Sequence, residues 1–171
     1  GKLQGTPLFL GGPNGSTVLG TANVLCAAVL AQGTTTIYNA ACEPYLQQLC
    51  KMLVRMGAKI TGIGSNLLTI EGVARLGGTE HTMLPDMIEI GSWIGLAAMT
   101  KSELTIKNVS WDDLGQIPSV FRKLGITIER NEDDIYIPVF DKSSSSSVWS
   151  GNLKKFKLVD ADDSRNIRGK S

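Results

Sequence analysis

KLQGT at residues 2–6 and RLGGT at residues 75–79 open two stretches, each roughly 70 residues long, that follow one order of apolar runs, turns and helix-like segments. Three more pairs follow in the same order: TTTIYNA (34–40) with ELTIKNV (103–109), LVRMGAKI (53–60) with FRKLGITI (121–128), and LLTI (67–70) with DIYI (134–137). This ordered agreement indicates an internal repeat with units at residues 1–73 and 74–140. Such a repeat constrains the fold before any single motif does.

Each unit is predicted to fold as strand, helix, strand, helix and a two-stranded hairpin, which makes the chain α/β. In the first unit the elements are expected at Pro7–Gly11, Val18–Ala31, Thr34–Tyr38, Pro44–Met56, Ala58–Gly62 and Leu67–Glu71. In the second they are expected near Glu80–Leu84, Asp86–Thr100, Glu103–Lys107, in a helix ending at Gly125, and at Thr127–Arg130 with Ile135–Pro138.

The first helix of each unit is apolar on nearly every side. The sequences are VLGTANVLCAAVLA (18–31) and MIEIGSWIGLAAMT (87–100). A helix of this composition is typical of a buried position, so both are expected to be surrounded by other elements. Asp86 and Glu89 have the spacing of a capping box, which predicts that Asp86 begins the second of these helices.

Four strings carry a resemblance to a known family: GTTTIYNAACEP (33–44), LVRMGAKITGIGSNLLTIEGV (53–73), RLGGTEHTMLPDMIEIG (75–91) and FRKLGITIERNEDDIYI (121–137). Together they resemble the UDP-N-acetylglucosamine enolpyruvyl transferases, the MurA family. The resemblance covers Gly1 to Pro138. It implies an inside-out α/β barrel, in which β-α-β-α-β-β units surround their own helices. Shikimate-phosphate enolpyruvyl transferases share that fold but match these strings less well.

The resemblance also implies a reaction. Members of the family move the enolpyruvyl group of phosphoenolpyruvate onto UDP-N-acetylglucosamine in the cytoplasm, the first committed step of peptidoglycan synthesis, without a metal or another cofactor. They are built from six units, and this chain holds two. We therefore expect a fragment that is inactive in isolation, whose partner is the missing remainder of the enzyme. The family's catalytic Cys loop would lie before Gly1.

One candidate ligand site is the Gly-rich turn before the first helix. Unpaired backbone N–H groups at a helix N-terminus attract anions, because they lie at the positive end of the helix dipole. By itself the turn has an ordinary structural explanation. The resemblance adds that diphosphate and uridine contacts fall on the residues matching Gly15, Ser16, Thr17 and Val18.

Asp86 and Glu43 are the other candidates. The resemblance implies that Asp86 faces the catalytic cleft near the reacting enolpyruvyl group, although the capping role alone explains its spacing. Glu43 matches an acidic residue near the sugar pocket. Met87 stands where the family often has Arg, so any charge supplied there is missing.

Composition excludes several other classes of function. The formal net charge is +1 and no basic patch is interleaved with aromatic residues, so a nucleic-acid partner is not expected. An apolar run long enough to cross a membrane is not found either. Cys26, Cys42 and Cys50 have no CxxC spacing, which disfavours a metal site and indicates reduced thiols.

After Phe140 the composition changes. Ser143 to Ser147 are predicted to form a linker, and residues 141–171 a disordered tail. WSGNLKKFKLVDAD (149–162) is weakly similar to a propeller strand of PilY-type pilus proteins. Two non-enzymatic alternatives therefore stay open: a scaffold remnant that packs against a partner, and an interaction module carried by the tail.

Overall fold

The computed structural model describes residues 1–12 and 15–139. The chain divides into two compact units, with the boundary in the sequence between Leu84 and Pro85. The first unit contains β1 (Pro7–Phe9), α1 (Val18–Ala28), β2 (Thr34–Tyr38), α2 (Pro44–Arg55), β3 (Lys59–Thr61) and β4 (Leu67–Glu71). Its sheet has the order β1-β2-β4-β3. β1 and β2 are parallel, whereas the other neighbours are antiparallel.

The second unit contains α3 (Met87–Thr100), β5 (Leu104–Ile106), a short 3₁₀ turn (Trp111–Asp113), α4 (Ile117–Lys123), β6 (Glu129–Asn131) and β7 (Asp134–Ile137). Its strands have the order β5-β7-β6, and both pairs are antiparallel. The order corresponds to β2-β4-β3 of the first unit. The α/β class and most predicted elements are therefore confirmed.

Strand register confirms the repeat residue by residue. Ile37 lies opposite Leu68 in the first sheet, and Ile106 lies opposite Ile135 in the second. These are the residues that the sequence alignment places on each other. Because a slip of one residue would turn every side chain to the other face, this agreement fixes which residues of each hairpin enter the core.

The strand predicted near Glu80–Leu84 is wrong, since residues 75–86 form no strand. The segment instead lies on α2 of the first unit. The Gln48 side chain donates to the Thr82 carbonyl oxygen at 3.1 Å, and Arg55 Nη1 lies 3.0 Å from His81 Nδ1. Polar side chains of α2 thus provide hydrogen-bond partners for this segment, and the first compact unit spans Gly1–Leu84.

Each unit has its own hydrophobic core, built from one face of its first helix and the inner face of its sheet. Leu25 of α1 packs with Ile37 and Ile70, and Ile94 of α3 packs with Ile135 and Ile137. All six are almost fully buried. Each core is therefore built from elements of its own unit, namely the first helix, the sheet and the second helix.

The expectation that α1 and α3 are surrounded on all sides is wrong for this chain, because each helix buries only one face. Leu19 and Leu30 are exposed on or just after α1, and Ile88, Leu96 and Met99 are exposed on α3. Within a unit each of these helices packs only against one sheet and the second helix. The uniform apolar character of the two helices therefore leaves exposed apolar surface.

No helix in residues 1–12 and 15–139 is long and apolar enough to cross a membrane. The predictions of a linker at Ser143 to Ser147 and of a disordered tail over residues 141–171 lie outside the described residues.

Candidate functional site

The N-terminus of α1 is built by a threonine cap and a glycine pair. Thr17 is the N-cap in an extended conformation, and its hydroxyl accepts a hydrogen bond from the Gly20 amide at 3.2 Å. Gly12 and Gly15 exchange two backbone hydrogen bonds of 3.0 and 3.1 Å. Gly15 has a φ of 102°, which lies in a region that side chains other than glycine's strongly disfavour.

This arrangement leaves a row of free amides at the helix start. Within the described residues, the N–H groups of Ser16 and Thr17 make no hydrogen bond, and those of Val18 and Leu19 have no acceptor because they open the helix. Ser16 and Thr17 are exposed. The Gly15 amide differs, since it already donates to the Gly12 carbonyl oxygen. An anion at this terminus would therefore be held by Ser16, Thr17 and Val18.

Glu43 lies at the N-cap of α2, where Pro44 is the first helical residue. Its side chain does not cap the helix. Among the described residues, Oε2 is a buried atom with no hydrogen-bond partner. A buried carboxylate oxygen without a donor is costly, so the Glu43 side chain is suited to accept a hydrogen bond from a ligand hydroxyl or amide.

The structure ties these two segments together in the first unit. Thr21 is fully buried one turn into α1, and its hydroxyl accepts a hydrogen bond from the Ala41 amide at 3.0 Å. A second hydrogen bond joins the segments that follow β1 and β2, because the Asn39 side-chain amide donates to the Leu10 carbonyl oxygen at 2.9 Å. The start of α1 and the turn that carries Glu43 therefore belong to one hydrogen-bonded network.

Asp86 belongs to the second unit and is the N-cap of α3, as its spacing predicts. Oδ1 accepts hydrogen bonds from the amides of Ile88 at 2.8 Å and Glu89 at 3.4 Å. The carboxylate is exposed and borders a surface groove with Ser92 and Trp93. Helix capping uses Oδ1 only, so the exposed carboxylate of Asp86 remains accessible to a ligand.

A second feature of the same unit was not predicted from the sequence. The Arg130 guanidinium lies over the ring of Trp111, 5.1 Å from its centroid, a distance typical of a cation–π contact. Both line a cavity of about 340 Å³ with Asn108 and Asp133. Trp111 Nε1 is buried without a partner among the described residues. Sequence spacing could not have paired these two side chains, because β6 and the 3₁₀ turn meet only in the folded unit.

Cys26 lies in α1, Cys50 lies in α2, and Cys42 directly precedes Glu43. All three are free thiols, and burial raises the pKa of Cys50 from its usual 9.0 to about 11. A thiol with that pKa is protonated at neutral pH and is a poor nucleophile. Cys26 and Cys42 are exposed.

Comparison with known proteins identifies the family of the chain. A family model described as EPSP synthase (3-phosphoshikimate 1-carboxyvinyltransferase) matches residues 13–150. The chain belongs to the EPSP synthase family. This match continues past Ile137, where the last of the strings that carry the sequence resemblance ends.

Named relatives within the EPSP synthase family are UDP-N-acetylglucosamine 1-carboxyvinyltransferases. The chain is 64% identical over 152 residues to that of Bacteroides thetaiotaomicron, 66% over 152 residues to that of Porphyromonas gingivalis, and 54% over 154 residues to that of Treponema denticola. The first two alignments cover 89% of this chain and 34% of the relative. The chain therefore spans about a third of the length of the curated relatives that it matches, and the resemblance noted from the sequence is confirmed.

Solved structures agree on the fold. The enolpyruvyl transferase NikO from Streptomyces tendae superposes with a TM-score of 0.69 at 18% identity, covering 82% of this chain and 36% of NikO. EPSP synthase from Acinetobacter baumannii gives a TM-score of 0.55 at 20% identity, covering 80% of this chain and 32% of the enzyme. The α/β fold of the enolpyruvyl transferases predicted from the repeat is thus the one that the chain adopts.

Proposed function

We propose that this chain forms part of an enzyme that transfers the enolpyruvyl group of phosphoenolpyruvate to UDP-N-acetylglucosamine, with release of phosphate, in peptidoglycan synthesis. The observation that carries the proposal is the row of free amides at Ser16, Thr17 and Val18, in a chain more than 60% identical to relatives named for this substrate. The names of these relatives favour a transferase over a scaffold or a pilus-like interaction module.

The first unit would supply the wall that binds the sugar nucleotide. Its free amides, at the positive end of α1, would bind the diphosphate through the backbone, so binding there would not depend on a charged side chain. Glu43, with its unpaired Oε2, would accept a hydrogen bond from a sugar hydroxyl or the acetamido group.

Asp86 would act nearer the chemistry. Enolpyruvyl transfer needs an acid to protonate the methylene carbon, a base to take the proton of the sugar hydroxyl, and cations to hold phosphate and carboxylate. The exposed Asp86 carboxylate is a candidate for the base or for orienting the substrate. The cations and the acid would come from parts of the enzyme that this chain does not match.

The partner of the chain would be the rest of the same enzyme, in the cytoplasm. The exposed apolar residues of α1 and α3 are suited to further packing, because contiguous apolar surface is unfavourable in water. Three free thiols fit a reducing compartment.

The proposal is tested by adding UDP-N-acetylglucosamine to the isotope-labelled chain and following backbone amide NMR shifts. We expect shifts clustered on Ser16, Thr17 and Val18, with binding at about millimolar Kd, or roughly 4 kcal/mol, because much of the pocket is missing. Thr17→Pro removes one amide donor and the capping hydroxyl, so it should weaken the shifts.

Free N-acetylglucosamine is the matched control ligand. Lacking the diphosphate, it should leave these amides unchanged at the same concentration. If the sugar nucleotide shifts none of the three amides at high concentration, the assignment of the sugar-nucleotide wall is wrong.

A further inference from the structure

Thr21 is the one fully buried polar side chain on α1 among the described residues, in a helix that is otherwise almost entirely apolar. Its hydroxyl makes two hydrogen bonds. It donates to the Thr17 carbonyl oxygen at 2.7 Å and accepts from the Ala41 amide at 3.0 Å. Because a hydroxyl has one proton to donate, the Thr21 hydroxyl donates to Thr17 and accepts from Ala41.

The Thr17 end of this link is the helix cap itself. The Thr17 carbonyl oxygen accepts from the Thr21 amide at 3.0 Å as well as from the Thr21 hydroxyl. The Thr17 hydroxyl accepts from the Gly20 amide. Three hydrogen bonds thus hold Thr17 in the extended conformation from which α1 begins.

The Ala41 end lies two residues before Glu43, in the turn between β2 and α2. Ala41 is buried, and the Thr21 hydroxyl is the acceptor for its amide. Without that oxygen the amide would be a buried donor with no partner, which destabilises the turn. Ala40 beside it donates to the Asn66 carbonyl oxygen at 2.9 Å, so the turn is otherwise fixed to the hairpin of the sheet.

We propose that Thr21 is a positioning residue for the sugar-nucleotide site, whose hydroxyl holds the α1 N-terminus and the Glu43 turn in one arrangement. The inference rests on the proposed function, since it assigns both segments to one ligand. Thr21 itself is buried and does not touch that ligand. Its effect is to fix the separation between the amides that would bind diphosphate and the carboxylate that would bind the sugar.

Two substitutions and a control separate this role from simple packing. Thr21→Val keeps the shape but removes both hydrogen bonds, whereas Thr21→Ser keeps the hydroxyl and loses a methyl group. Thr35→Val is the matched control, because Thr35 is another buried threonine of the first unit, placed within β2 opposite Ile70.

In the free chain, Thr21→Val should speed hydrogen exchange of the Ala41 amide about tenfold and shift amide signals at both Ser16–Gly20 and Ala41–Glu43. In titrations with UDP-N-acetylglucosamine, it should weaken binding about tenfold, and Thr21→Ser should restore the affinity to within about threefold. Thr35→Val should leave the affinity and both groups of signals as in the wild type, with thermal unfolding confirming that every variant is folded.

Each other outcome is decisive. If Thr21→Val binds as tightly as the wild type, the positioning role is wrong and the proposed function stands. If Thr21→Ser binds as weakly as Thr21→Val, the hydroxyl has no positioning role. The same conclusion follows if Thr21→Val is unfolded and Thr21→Ser binds the sugar nucleotide more weakly than the wild type does. A wild-type chain that does not bind overturns the proposed function and the positioning role together.

Discussion

Asn39 and Asn108 have the same left-handed backbone conformation, with φ of 56° and 55°, at the ends of the equivalent strands β2 and β5. The residue after each donates to the equivalent carbonyl oxygen across the sheet, Ala40 to Asn66 at 2.9 Å and Val109 to Asp133 at 2.7 Å. Asparagine tolerates this conformation better than most residues. The repeat is therefore preserved in backbone geometry as well as in sequence.

Substitution of these two asparagines should separate backbone strain from side-chain bonding. Alanine should cost about 1 kcal/mol of unfolding free energy at position 108, because alanine tolerates positive φ less well than asparagine, and about 2 kcal/mol at position 39, where the side-chain hydrogen bond is lost as well. Glycine relieves that strain. Asn108→Gly should be nearly neutral, whereas Asn39→Gly should cost about 1 kcal/mol through loss of the hydrogen bond to the Leu10 carbonyl oxygen. The unfolding free energy of each unit is measured by hydrogen exchange. Equal losses of stability in Asn39→Gly and Asn108→Gly would contradict this explanation.

Asp86 should stabilise α3 through its capping oxygen. Asp86→Ala removes the acceptor for the amides of Ile88 and Glu89 and should cost about 1 kcal/mol. Asp86→Asn keeps an acceptor oxygen and should cost only a few tenths of a kcal/mol. Helix stability is measured from the exchange rates of the α3 amides. An alanine variant with unchanged rates would show that the cap contributes nothing.

Gly72 should tolerate no side chain. A Cβ at this position would overlap the Ala31 carbonyl oxygen, so the backbone must move. Gly72→Ala should destabilise the first unit by about 2–3 kcal/mol. Gly78→Ala is the control, since a Cβ there meets nothing within 4 Å. Urea unfolding of both variants tests the contrast, and similar midpoints would mean that Ala31 and Gly72 are not in contact.

Cys50 should make stability depend on pH in the alkaline range. The unfolded thiol ionises near pH 9.0, but burial raises the pKa of folded Cys50 to about 11. The folded state therefore keeps its full contribution below pH 9 and loses it as the pH rises to 11, by about 2–3 kcal/mol in total. Urea unfolding between pH 8 and 11 measures this loss, and Cys50→Ala should flatten it.

The same burial predicts selective alkylation. At pH 8, iodoacetamide should modify the exposed Cys26 and Cys42 well before Cys50. Mass spectrometry of digested protein would give the order, and rapid labelling of Cys50 would mean that its part of α2 opens readily.

Local signals in the sequence were sufficient for most of the fold. The β-branched and aromatic residues of β2, β4 and β7, the proline at the start of α2 and the glycines at 57 and 125 are local signals, so they can be recognised without tertiary contacts. The repeat then aligned the two units, and Asp86 was correctly identified as a cap from its spacing to Glu89.

The segment at residues 80–84 shows where local pattern fails. Its backbone could pair in a sheet or bond to another element, and only the folded first unit presents Gln48 and Arg55 beside it. The free energy of those hydrogen bonds depends on the distance between α2 and the segment, which no local pattern encodes.

By itself the sequence determined the repeat, most of the strands and helices and the Asp86 cap, because these depend on periodicity and short-range geometry. Tertiary structure alone decided that α1 and α3 bury one face, that Thr21 joins the start of α1 to Ala41, and that Trp111 lies beneath Arg130. Such relationships join residues about 20 positions apart. They form only when separate elements pack against each other, so their partners are fixed by three-dimensional distance rather than by spacing along the chain.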